Sequence, residues 1–98
     1  ETPAEAAVRE LKEELGMRID SKELNFLCIE ARQSPGRNYL STIFTLETGQ
    51  EPTNNEPHEC SELVWVDPKN LGDDIIENFK MIIQKAYVHD KHYIEFQA

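Results

Sequence analysis

The chain has 98 residues, 39% of them hydrophobic, which suffices for one modest core and a single domain over 1–98. Ten basic residues against nineteen acidic ones leave a formal net charge of −9 with no basic run, which argues against duplex nucleic acid and anionic membrane as partners. Cys28 and Cys60 lack metal-type spacing and read as buried free thiols; with no signal peptide and no apolar run of membrane-spanning length, the cytoplasm is the expected compartment.

"TPAE" opens a helix. Thr2 suits the N-cap, Pro3 the first turn, and Glu5 completes a capping box with Thr2. Ala4, Ala7, Val8, Leu11 and Leu15 then fall on one arc, and Gly16 is a natural C-cap, so the spacing predicts a helix over 2–15. The runs "LNFLCIEAR" (24–32) and "NYLSTIFTLE" (38–47) read as strands, with "SPGRN" turning between them into an antiparallel hairpin. A polar loop with two prolines follows, then a third strand is expected at "SELVWVD", 61–67, with Trp65 and Phe44 in the core. Ile75, Ile76, Phe79, Ile82, Ile83 and Ala86 have helical spacing, with Asp73 as the expected cap. The tail from 88 to 98 fits neither period well. Helix, strands and helix together give an α+β class.

The chemistry concentrates on the first helix. Glu10, Glu13 and Glu14 lie within five residues, and like charges at this spacing repel by about 0.2–0.5 kcal/mol per pair. One reading is a solvated acidic face. The other is a site for a hard cation, Mg²⁺ or Mn²⁺, since closely spaced oxygen ligands on a rigid helix suit such ions and the cation would remove the repulsion.

These residues resemble a family signature. Glu1, then seven residues, Arg9-Glu10-Leu11, one residue, Glu13-Glu14, one residue, and Gly16-Met17 are similar to the Nudix box. Six fixed identities agree; at roughly one in fifteen each, chance agreement is on the order of one in ten million per window, which disfavours the solvated face. The resemblance implies a Nudix-type α/β/α sandwich with a mixed sheet between helices. The box glycine would precede Glu1, as would the family's leading strands, so the chain is expected to be incomplete at its N-terminus. The resemblance further implies a metal held by Glu10, Glu13 and Glu14, with Arg9 orienting glutamates and Glu1 as its structural partner.

Downstream, Glu56-Pro57-His58-Glu59-Cys60, ending in Trp65, is similar to the MutT-like branch that cleaves nucleoside triphosphates. Pro57 biases Glu56 toward extended backbone, and the resemblance makes Glu56 an outer carboxylate that binds metal or positions water. His89 and His92 have a spacing that metals use, with no third ligand nearby. The implied reaction is Mg²⁺-dependent hydrolysis of a nucleoside triphosphate or other nucleoside diphosphate derivative, the MutT-like segment favouring a triphosphate released as monophosphate and pyrophosphate. Glu10, Glu13, Glu56 and Arg9 are the expected catalytic residues. The metal ligands would be Glu10, Glu13, Glu14 and Glu56. Rival readings are a dinucleotide or nucleotide-sugar (ADP-ribose-type) pyrophosphatase and a non-catalytic nucleotide-binding module. The expected partner is the nucleotide alone, with a homodimer left open.

Overall fold

A computed structural model describes residues 1–97. Its order is helix α1 (Pro3–Leu15), a 3₁₀ turn (Ser21–Glu23), strands β1 (Leu24–Ser34) and β2 (Arg37–Leu46), a short helix α2 (Glu77–Met81), a π-helical segment (Ile82–Val88) and strand β3 (Tyr93–Gln97). The class is α+β, as expected. Two compact units divide the chain, one formed by Glu1–Asn25 with Phe44–Trp65, the other by Phe26–Ile43 with the chain from Val66 onward.

In the first unit α1 has both ends written into its sequence. Thr2 Oγ1 accepts the Glu5 N–H at 3.1 Å, and Glu5 Oε1 accepts the Thr2 N–H at 3.0 Å. At the other end Gly16 adopts φ 64°, a left-handed conformation that glycine takes without a Cβ penalty. Its N–H reaches the Lys12 carbonyl at 3.1 Å and that of Met17 reaches Leu11 at 3.2 Å, closing two carbonyls the helix leaves open. Met17 is buried as it leaves the helix. The following 3₁₀ turn repeats the same device, with Asp20 and Glu23 as a second capping box.

In the second unit the sheet runs β2-β1-β3. β1 and β2 are joined by Pro35 and Gly36 alone, a connection only antiparallel neighbours permit, and Gly36 takes the required positive φ of 79°. β3 lies parallel to β1, with Ile29 opposite Tyr93 and Glu30 opposite Ile94, so the sheet is mixed. The tail that fitted neither period is thus a strand. Cys28, Ile94, Ile82 and Ala86 form the buried core of this unit, with Leu27, Ile43 and Met81 packed around it. Ile82 and Ala86, four residues apart in the π-helical segment, supply its helical side. Asp90, at φ 56°, follows that segment, and the Lys91 N–H returns to the Lys85 carbonyl at 2.9 Å.

Four expectations are corrected. The run 61–67 forms no strand; its one ladder element is an isolated bridge from Asp67 to Asn70. A strand exists only when a neighbour accepts its backbone groups, and the three-strand sheet does not include this run. Trp65 is accordingly 83% exposed rather than in the core, while Phe44 is half-buried. Asp73 caps nothing: α2 starts at Glu77 behind Ile76, which offers no side-chain acceptor. Ile76 and Phe79, counted on the apolar face by spacing, are more than half exposed.

The two thiols also differ. Cys28 is fully buried, and burial, reinforced by the Glu30 carboxylate, pushes its thiol up from the usual range. Cys60 is only half-buried and lies outside any strand; its Sγ is 3.0 Å from the Glu62 carbonyl. Neither forms a disulfide. Glu30 is buried on β1, and its Oε1 has no hydrogen-bond partner among the described residues. No helix among the described residues is long and apolar enough to cross a membrane.

Candidate metal and catalytic site

The candidate site lies in the first unit, on α1 and the loop that returns to its C-terminal end. Arg9 is the electrostatic hub. Its Nε and Nη2 donate to the two oxygens of Glu1 at 2.8 and 3.1 Å, a bidentate fork, and its Nη1 donates to Glu13 Oε2 at 3.1 Å, one turn along the helix. Glu10 Oε1 stands 3.8 Å from Nη2. The hydrogen bond from Arg9 holds the Glu1 carboxyl below the usual carboxylate range, and the Glu1 bond in turn pushes the guanidinium further up. Arg9 therefore stays charged and fixes the position of Glu13. The Glu14 carboxylate has neither a hydrogen bond nor an ion pair among the described residues.

Glu56 belongs to a loop fastened to the end of the same helix. The Thr53 N–H donates to the Leu15 carbonyl at 2.8 Å and that of Asn55 to the Glu14 carbonyl at 3.1 Å, both groups left free where a helix stops. Asn55 Nδ2 adds a longer bond to the Lys12 carbonyl at 3.4 Å. Upstream, Gln50 and Arg18 exchange two bonds, Arg18 N–H to Gln50 Oε1 at 3.2 Å and Gln50 Nε2 to the Arg18 carbonyl at 2.9 Å. Asn54 braces the turn from within: its Oδ1 accepts the Glu56 N–H at 3.2 Å and its Nδ2 donates to the Cys60 carbonyl at 2.6 Å. The Glu56 carbonyl accepts from Glu59 and Cys60, both at 2.9 Å. Glu56 thus follows directly on a residue bonded to the backbone of Glu14, although the two lie 42 positions apart.

Asn55 is the residue of this joint that sequence reasoning missed. Nothing local marks it, because its partners are backbone carbonyls more than forty residues earlier. Gly16 completes the joint. A Cβ there would meet Asn55 Nδ2 at 3.0 Å and would also have to adopt positive φ. Gly16→Ala is expected to destabilise by about 1 kcal/mol or more, lowering the melting temperature by several degrees in a calorimetric scan. An unchanged melting temperature would show that the joint is not held as described.

Carboxylate oxygens are the donors a hard divalent cation prefers, and Glu10, Glu13 and Glu14 are all exposed on one helix, so the donor set fits such an ion. They are not drawn together: among the described residues no three His, Cys, Asp or Glu groups gather as a metal cluster. Mutual repulsion and the hold of Arg9 on Glu13 account for the open arrangement. The His89 and His92 pair belongs elsewhere; His92 lies in the second unit with Nδ1 3.4 Å from the Leu27 carbonyl.

A family model described as the NUDIX domain matches residues 1–88. The chain belongs to the Nudix family. The α+β class with a three-strand mixed sheet and helices agrees with a Nudix-type fold. Nudix proteins are hydrolases of nucleoside diphosphate derivatives and typically use divalent metal ions, and the matched domain supports that general chemistry here. No curated protein and no solved structure matched the chain in the same comparison.

Proposed function

We propose that this Nudix protein hydrolyses nucleoside triphosphates to the monophosphate and pyrophosphate, with Mg²⁺ or Mn²⁺ as its ion and the cytoplasm as its compartment. The observation that supports the reading is the attachment of the Glu56 loop to the carbonyls of Glu14 and Leu15, which fastens the segment bearing a fourth acid to the end of the helix that bears three. The resemblance of the "EPHEC" run to the MutT-like branch favours the triphosphate over dinucleotides and nucleotide sugars. A net charge of −9 is compatible with this partner because a bound cation reverses the local sign.

Glu10, Glu13, Glu14 and Glu56 would hold the cation. When bound, it neutralises charge that builds on the phosphoryl oxygens as water attacks phosphorus. Arg9, itself anchored by Glu1, holds the Glu13 carboxylate at one place on the surface of α1. The proton of the attacking water would pass to one of the carboxylates on α1 or to Glu56.

The test is product analysis. The full chain is incubated with each nucleoside triphosphate and Mg²⁺, and products are separated by chromatography. Monophosphate with pyrophosphate is expected. Release of single phosphate would overturn the reaction class. Hydrolysis restricted to dinucleotides or nucleotide sugars would overturn the substrate class, and binding without turnover would favour the non-catalytic module.

A further inference from the structure

The second unit carries a cavity of about 700 Å³, within the usual range for small-molecule sites, at the end of the sheet where β1, β2 and β3 lie side by side. Its distinguishing feature is Arg32. The guanidinium carbon stands 5.1 Å from the centroid of the Tyr39 ring, a cation–π stack between β1 and β2. No carboxylate lies within ion-pair distance of Arg32 among the described residues, although the chain holds nineteen acidic residues against ten basic ones. Arg9 in the other unit shows the contrast, with acidic partners in Glu1, Glu10 and Glu13. Glu95, the acid among the residues around the cavity, lies opposite Ala31 in register and so on the other face from Arg32, where it accepts the Tyr93 hydroxyl at 3.0 Å and pushes that phenol up from its usual range.

A stacked guanidinium uses its face on the ring and keeps its N–H edge in plane for bidentate capture of an oxyanion. Tyr39, stacked on Arg32, and Phe96, opposite Arg32 in the β1–β3 register, share its face of the sheet and give the cavity two aromatic surfaces suited to a flat ring. We infer that this cavity binds a small ligand joining an oxyanion to an aromatic ring, with the oxyanion on Arg32 and the ring against the aromatic wall. The inference stands apart from the reading of α1, since no residue of the candidate metal site lines the cavity.

The test uses phenyl phosphate, with benzoate and inorganic phosphate as companions, titrated calorimetrically into the full chain in excess chelator so that no cation bridges to α1. Phenyl phosphate is expected to bind at least tenfold more tightly than inorganic phosphate, and the benzoate arm separates a phosphate from a carboxylate preference. Arg32→Gln is expected to weaken phenyl phosphate at least tenfold, and Arg32→Lys, which keeps the charge but loses the fork, to weaken it several-fold. Glu14→Gln should leave it unchanged. Should Arg32→Gln fail to fold, amide shifts of the unaltered chain decide: they should cluster at 31–33, 38–40 and 93–96. Absence of binding, equal binding of inorganic phosphate, indifference to Arg32, or shifts confined to α1 would each overturn the assignment.

Discussion

Ile94→Ala is expected to lower the melting temperature by on the order of ten degrees or more. Ile94 is 3% exposed and packs in a core whose other buried members are Cys28, Ile82 and Ala86. Removing a buried Ile side chain to Ala costs about 2–5 kcal/mol, from lost transfer energy and the cavity left behind. A small domain has only about 5–15 kcal/mol of total stability, and each kcal/mol shifts a chain of this size by several degrees. The effect should exceed the transfer term alone, because four side chains cannot collapse far into a new void. Tyr87→Ala is the control. Tyr87 is 53% exposed, and its loss should stay within about 0.5 kcal/mol. Equal melting of Ile94→Ala and Tyr87→Ala would show that β3 does not seal this core.

That core also marks the limit of what the sequence discloses. α1 is legible because its signals are local: Thr2, Pro3 and Glu5 at one end, Gly16 at the other, all within reach of the groups they satisfy. The hairpin is legible for the same reason, although β1 runs on to Ser34 and β2 begins at Arg37, tightening the turn to Pro35 and Gly36. β3 is different. Tyr93 and Glu95 face outward and Ile94 inward, but five residues give too few alternations, and the strand forms because β1 offers an open edge. The reverse failure occurs at 61–67, where "LVWV" has every local preference for a strand and no neighbour to bond. Strand propensity measures fit to a partner surface, so it misleads where that partner is missing.

The site divides in the same way. Glu10, Glu13 and Glu14 on one helix, with Arg9 a turn before Glu13, follow from spacing alone. The proximity of the Glu56 loop to that helix does not, since it rests on backbone bonds from Thr53 and Asn55 to carbonyls that any sequence would present. Resemblance supplied Glu56; only the fold supplies the reason it sits there.

Glu14→Gln is expected to cut turnover about a hundredfold while leaving the metal-free fold as stable as before, or slightly more so. Without a cation, the Glu14 carboxylate stands exposed with no hydrogen bond or ion pair among the described residues, next to Glu13 and one turn from Glu10. Neutralising it removes like-charge repulsion of about 0.2–0.5 kcal/mol per pair, so melting in chelator should hold or rise by a degree or two. Under the proposed assignment, with cation and substrate bound the same carboxylate would anchor the charge that neutralises the phosphoryl oxygens. Loss of one such preorganised electrostatic contact costs about 3 kcal/mol of barrier, and each 1.36 kcal/mol is tenfold in rate. Glu13→Gln makes the useful comparison, because Glu13 also serves the Arg9 network and its neutralisation gives up an ion pair as well as repulsion. Its metal-free fold should therefore gain less than that of Glu14→Gln. The measurement pairs melting in chelator with turnover at saturating Mg²⁺. Opposite signs in the two assays identify a carboxylate kept for chemistry at a small cost to the fold. A Glu14→Gln chain that melts several degrees lower, or turns over at the unaltered rate, would return the glutamates of α1 to an ordinary wet surface.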